Sequence, residues 1–417
     1  MYDNLIILLL FYIHNFLPTI NSSFTINGNF IYNVIAQNIC SNAFITLPFC
    51  TGNSSNNQCF NLIFDINSKY IMLINKNVDH IKGYDFSLSD KYNQIPNTIF
   101  VDNINHIGTL KSFLIQDSIY IKEINTSINN VSMLELNEID FDYPRGYHSG
   151  LIGFNSRNEM GDNFVYLKKL LINNAIPSMN YYYTFSSLSK VNFTIGIEDN
   201  DPIINSFTFC QSPRIAFNYY SLPWRCVFNS LSNANSGEVI KELTSDSNTA
   251  TFNTMKNGIY APVNIGIFIL REYEKVSNNN CKIVKDNEIQ FIKCNLNFNY
   301  EILPVFRLED NNGFKIKLYP VDIFNYTSGE SYLKVIEGSK KWIIDLNILK
   351  HYDVFVHVSD NKIGFRENDI FLSTNNFMSR YYEKYKYNYI QIVIKSELLS
   401  LLSGIFILLL TSLFIKD

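Results

Sequence analysis

Seven cysteines, six histidines and several paired acids are the residues of this chain whose chemistry depends on spacing. Cys50 and Cys59, Cys210 and Cys226, and Cys281 and Cys294 lie close together in sequence, as in short disulfide-closed loops. Cys40 is left odd, and spacing alone does not fix connectivity. No Cys-x-x-Cys pair, no His-x-x-x-His with an intervening Glu, no Gly-x-Ser-x-Gly elbow and no phosphate-cradling glycine loop occurs. His80, His106, His148, His351 and His357 are scattered. The sequence therefore offers no site for a metal, a nucleotide or another cofactor. Asp140 with Asp142 and Asp199 with Asp201 lack the twelve-residue loop that calcium uses and read as solvated turns. Asn53, Asn125, Asn130, Asn192 and Asn325 open N-glycosylation sequons, which fits a compartment where thiols oxidise.

The two ends point to the same compartment. Residues 5–16 (LIILLLFYIHNF) are apolar and are followed by Pro18, Thr19 and the small Ser22 and Ser23, the pattern of a secretory signal peptide over 1–23. Residues 398–415 (LLSLLSGIFILLLTSLFI) carry no charge and would extend about 27 Å as a helix, close to the thickness of a bilayer core. A single-pass transmembrane helix is the direct reading. A glycolipid-anchor signal is the rival, but it requires small residues and a polar spacer that 387–397 (YNYIQIVIKSE) does not supply. These ends predict a membrane-anchored ectodomain in the secretory pathway or at the cell surface. A net charge of −4 gives no basic field for a phosphate backbone, which argues against a nucleic-acid partner.

Between the ends, at 47% hydrophobic and 17% charged, there is apolar material for a full core. Short runs rich in Ile, Phe, Tyr and Val recur between Asn, Ser, Gly and Asp clusters: 60–64, 70–74, 118–121, 181–185, 314–318 and 354–358. The fold class is mostly β. Helix spacing is confined to 163–173 (NFVYLKKLLIN) and a short turn within 343–351. Residues 367–397, rich in Tyr and Lys, read as a stalk.

The stretch 58–73 (QCFNLIFDINSKYIML) resembles the first catalytic strand and loop of the pepsin-like aspartic peptidases, Q-x-F-x-V-x-F-D-T-G-S-S-x-L-W-V. Asp65 falls on the catalytic Asp, and Gln58, Phe60, Phe64 and Ser68 fit, while Ile66 and Asn67 replace the Thr and Gly. A second stretch, 250–262 (ATFNTMKNGIYAP), resembles the matching loop of the other lobe, A-x-F-D-T-G-T-S-x-I-x-A-P, with Asn253 on its Asp, then Thr254 and Met255. The closing stretch 342–365 (WIIDLNILKHYDVFVHVSDNKIGF) is similar without a gap to W-I-L-G-D-x-F-L-R-x-Y-Y-x-V-F-D-x-x-N-x-K-I-G-F. Between them, 148–154 (HSGLIGF), 194–198 (TIGIE) and 303–323 resemble further family segments in the right order. The resemblance implies a bilobal β fold with a cleft between an amino lobe, 28–195, and a carboxyl lobe, 196–366, dividing near Gly196.

The family's reaction needs two carboxylates that share one proton and hold a water between them. Asn253 is an amide and can neither take that proton nor lend one. A lone Asp65 is then expected to titrate like an ordinary carboxylate. Asn67 and Met255 put side chains where the family keeps glycine, and Ile66 has no hydroxyl, so the mutual brace in which each loop's Thr supports the other loop is expected to be broken. Counting back from Asp117, the flap tyrosine is replaced by Asn105, with His106 and Ile107 before Gly108. The expectation is an inactive homologue that binds a peptide or protein in the cleft. The alternatives are an active aspartic endopeptidase in which a neighbouring acid such as Asp345 stands in for the missing group, and a structural or adhesive ectodomain whose cleft is filled by side chains such as Met255 and Tyr70.

Overall fold

A computed structural model describes residues 23–32, 43–78, 83–104, 108–139, 149–155, 165–211, 224–254, 258–296, 298–325, 328–368 and 370. The expected membrane span, nearly all of the expected signal peptide and stalk, and Cys40, Asn105 and Met255 lie outside the described residues. Among the described residues no helix is long and apolar enough to cross a membrane.

The protein is mostly β, as the alternation predicts. Strands Tyr181–Ser187 and Lys190–Ile195 pair as a hairpin and bury alternate residues. Tyr181, Tyr183, Val191, Phe193 and Ile195 are fully enclosed. Their inward rings meet Phe64 and Phe154 edge-on: Phe64 lies 4.7 Å from Phe193, and Phe154 lies 5.2 Å from Tyr181, between centroids. Such contacts add roughly 0.5–1.5 kcal/mol each beyond area burial, so this aromatic cluster anchors the strand that ends at Asp65. The same sheet spans most of the chain: strand Phe24–Tyr32 pairs with Lys190–Ile195, and Tyr352–His357 pairs with Tyr181–Ser187. Packing continues past residue 366 to Asn368, whose Nδ2 donates to the Phe185 carbonyl at 3.1 Å and to Asp353 at 2.6 Å.

One four-strand arrangement occurs twice. In the first copy, Asn57–Asp65 runs parallel to Gly150–Gly153, which is antiparallel to Ile71–Ile74, which is parallel to Thr126–Ile139. In the second, Thr249–Phe252 runs parallel to Trp342–Ile344, which is antiparallel to Ile259–Ala261, which is parallel to Leu333–Ile336. Order and direction are the same in both. In each copy the first strand delivers the loop of interest, and the late strand slots between the strands flanking that loop. Phe64 pairs with Ile152 and Phe252 with Ile344, so Asp65 and Asn253 occupy equivalent places. This repeat is invisible at the sequence level because the copies share only short fragments.

Three disulfides join Cys50 to Cys59, Cys210 to Cys226 and Cys281 to Cys294, as close spacing suggests. The first and third link directly opposed residues of hairpins. The 163–173 periodicity corresponds to a helix at Tyr166–Ile172, and the 343–351 turn to Leu346–Leu349. A 14-residue helix, Val263–Val276, was not anticipated. Its apolar start (VNIGIFIL) resembles a strand, but Pro262 precedes its first turn and Ile265, Ile269, Leu270 and Tyr273 share the buried side.

Candidate active site

Asp65 ends its strand and begins a tight loop. The Asn67 backbone N–H donates to Asp65 Oδ1 at 2.9 Å, and Phe154 N–H donates to the Asp65 carbonyl at 3.1 Å. Beneath the loop lies Gly153, where a Cβ would come within 2.1 Å of the Ser68 carbonyl, so only glycine lets the loop rest on the neighbouring strand. Ser68 Oγ accepts from Tyr70 N–H, and the Ser68 carbonyl accepts from Asn155 N–H. Tyr70 packs partly buried on a core cluster that includes Phe44, Ile63 and Met72. Gln58 fixes the neighbouring segment by two bonds to the Asp85 backbone, at 2.8 and 3.0 Å.

The two loops are tied to each other. Thr254 Oγ1 accepts from Ile66 N–H at 3.1 Å and lies 3.2 Å from the Phe64 carbonyl, to which it donates; the Asp65 carboxylate competes for the same proton. The reciprocal arm cannot come from Ile66. It comes from Asn67, whose Nδ2 donates to the Phe252 carbonyl at 2.7 Å. Phe252 is the equivalent of Phe64, so the carbonyl before each site residue receives a side-chain bond from the opposite loop. The expected break of the mutual brace is therefore corrected: the hydroxyl is lost at Ile66, and the longer Asn67 amide replaces it from one residue further on. Asn155 Nδ2 in turn holds the Asn67 carbonyl at 2.9 Å. Asn67→Ala is expected to cost about 1 kcal/mol, the net worth of one such bond, measurable as a lowered denaturation midpoint.

Asp65 does not titrate like an ordinary carboxylate, contrary to the sequence expectation. Burial pushes its pKa up to about 6, against the opposing N–H bonds of Asn67 and Ser68 and the Thr254 hydroxyl. Buried Tyr181, in the sheet below, has its phenol raised well above the ordinary range, first by burial, then by the neighbouring Tyr183 and Asp65. Sequence reasoning passed over Tyr181 and Asn155. Neither carries a motif, and only the folded sheet brings them near Asp65 and its loop.

Asn253 N–H donates to the Ile344 carbonyl at 2.9 Å, continuing the parallel ladder. Asp345 follows Ile344 and takes the place that Gly153 has in the first copy. Its carboxylate accepts from Gly258 N–H at 2.8 Å, Asn347 N–H at 3.1 Å and Asn347 Nδ2 at 2.8 Å, capping the Leu346–Leu349 helix. Burial raises its pKa to about 6. These bonds give Asp345 a structural task. The flap expectation falls on strands Asn93–Ile104 and Gly108–Ile121, paired as a hairpin with Ile104 opposite Gly108. Asp117, on its second strand, accepts from Tyr84 Oη at 2.7 Å and Ser89 Oγ at 2.6 Å.

Asp65 and the Asn253 loop are thus brought together, and Asp345 holds the far end of that loop through Gly258 N–H. Such a site holds one carboxyl that can accept or donate a proton and one residue with an amide in place of a partner. Among the described residues the position equivalent to Asp65 in the second copy is the amide of Asn253, which does not titrate. No protein-family model matches the chain, and no curated protein matches it.

Proposed function

We propose that the chain is a catalytically inactive relative of the pepsin-like aspartic peptidases, a membrane-anchored ectodomain of the secretory pathway or cell surface. It binds an extended peptide or protein segment in a cleft between two β lobes without cutting it. The observation that carries this reading is the twice-used four-strand arrangement that puts Asp65 and Asn253 at equivalent positions with their loops cross-tied. The motif order in the sequence supports it independently. An extended segment is the natural occupant, because strand edges and a hairpin offer backbone partners along a peptide. The brace made by Thr254 and Asn67 keeps the floor of such a cleft in place although the second carboxylate is gone. That arrangement suits binding.

The test is retention. Purified protein is immobilised and challenged with a diverse peptide library between about pH 3 and 7, and bound peptides are eluted and sequenced. Selective retention of extended peptides, reduced by Asp65→Ala, is the expected result. Absence of any selective retention over that range would instead favour the adhesive or structural reading.

A further inference from the structure

The segment between strands Gly108–Ile121 and Thr126–Ile139 carries two features that the proposed cleft does not use. Every described non-glycine residue at positive φ is an asparagine, and two of the seven, Asn125 (φ 49°) and Asn130 (φ 56°), also open sequons. Both are exposed. Left-handed backbone is tolerated by asparagine better than by most side chains, so these positions favour Asn before any modification is considered. Asn125 closes the turn by donating its N–H to the Lys122 carbonyl, and its Oδ1 accepts from Tyr120 Oη at 2.9 Å. The carbonyl side of the carboxamide is thereby fixed toward the protein. Asn130 sits where the pairing register shifts between Asp117 and Ile119. Asn192, by contrast, lies inside the sheet, opposite Asn27 on one side and Thr184 on the other, and is half-buried. Asn53 is half-buried, and its Oδ1 accepts from Ser55 N–H, Ser55 Oγ and Asn56 N–H.

We infer that Asn125 and Asn130 are N-glycosylation sites. This rests on the secretory reading above. In the transfer, Asn125 Nδ2 forms a bond to the anomeric carbon of a lipid-pyrophosphate oligosaccharide. The bond from that carbon to the pyrophosphate oxygen breaks, the lipid pyrophosphate leaves with the electron pair, and Nδ2 gives up one proton. The Oδ1 bond to Tyr120 survives, because the amide carbonyl is unchanged. Tyr120 lies opposite Cys50 in the sheet, and Cys50 is bonded to Cys59 on the next strand.

The full chain, expressed in a eukaryotic host, is digested with a peptide-N-glycosidase, which converts each glycosylated Asn to Asp, and is mapped by mass spectrometry beside alkylation of free thiols. The expected result is conversion at Asn125 and Asn130. Ser127→Ala abolishes it at Asn125 alone, whereas Thr194→Ala leaves the overall glycan load unchanged. Asn125→Asp keeps the turn and the acceptor oxygen and serves as the control for folding. Recovery of unmodified Asn125 and Asn130 from chains whose Cys50 and Cys59 resist alkylation overturns the inference while leaving the secretory reading intact. Unmodified sequons with Cys50 and Cys59 freely alkylated overturn both.

Discussion

Replacing Thr254 by Val lowers the stability of the protein by about 2–4 kcal/mol. Val fills the same volume, so no cavity contributes, and the loss isolates the hydroxyl. Thr254 is buried, and its Oγ1 serves Ile66 N–H and the Phe64 carbonyl. Removing it leaves a donor and an acceptor facing an apolar methyl, and each unsatisfied buried group costs about 1–3 kcal/mol. Thr254→Ser keeps the hydroxyl and restores most of the difference. Combined with Asn67→Ala the losses are non-additive, because both residues tie the same two loops and the second removal acts on loops already loosened. Chemical denaturation of the wild type, Thr254→Val, Thr254→Ser, Asn67→Ala and the double variant measures this. A Thr254→Val change below about 0.5 kcal/mol would mean that the cross-tie carries little of the fold's stability.

Stability also rises as the pH falls from 7 to 5. Asp65 and Asp345 have pKa values raised to about 6 in the folded protein from an ordinary 3.8, so in that window the folded state holds more protons than the unfolded one. The folded state is then favoured by acid, by about 1 kcal/mol per carboxyl across those two pH steps. Below about pH 4 the trend reverses. Asp322, held down to about 2 against its own burial by His351 and Lys350, contributes stability that is lost as it protonates. Asp65→Asn and Asp345→Asn should each remove about half of the rise between pH 7 and 5. Thermal or denaturant midpoints across pH for the three proteins decide it. A flat profile in the wild type, or one unchanged by both substitutions, contradicts the burial of these carboxyls as charged groups.

The sequence carried the β class and the disulfide pairs. Strand alternation is local, and a pair of cysteines nine to sixteen residues apart leaves few choices. Asp65 and Asn253 could be singled out because each sits in a recognisable run. Their meeting was expected only from the resemblance, since it depends on a strand arrangement whose two copies share almost no residues. Asn67 was legible only as a side chain in a place expected to be glycine. That its amide reaches the Phe252 carbonyl follows from the approach of two loops 185 residues apart, which no local pattern encodes. The same holds for the raised pKa of Asp65, because burial belongs to the aromatic sheet built from Tyr181, Tyr183 and Phe193. The Val263–Val276 helix was missed because its first eight residues are apolar enough to suit a strand, and the charged face appears only at Arg271.

Central to the account is the proposal that Asp65, facing Asn253 where the aspartic peptidases carry a second carboxyl, does not cut peptides. The direct test is incubation of the purified protein with a diverse peptide library between about pH 3 and 7, beside Asp65→Ala, with products read by mass spectrometry. The account predicts no cleavage above the Asp65→Ala background at any pH. Cleavage that disappears in Asp65→Ala would contradict it and would require a second proton-transferring group beside Asp65.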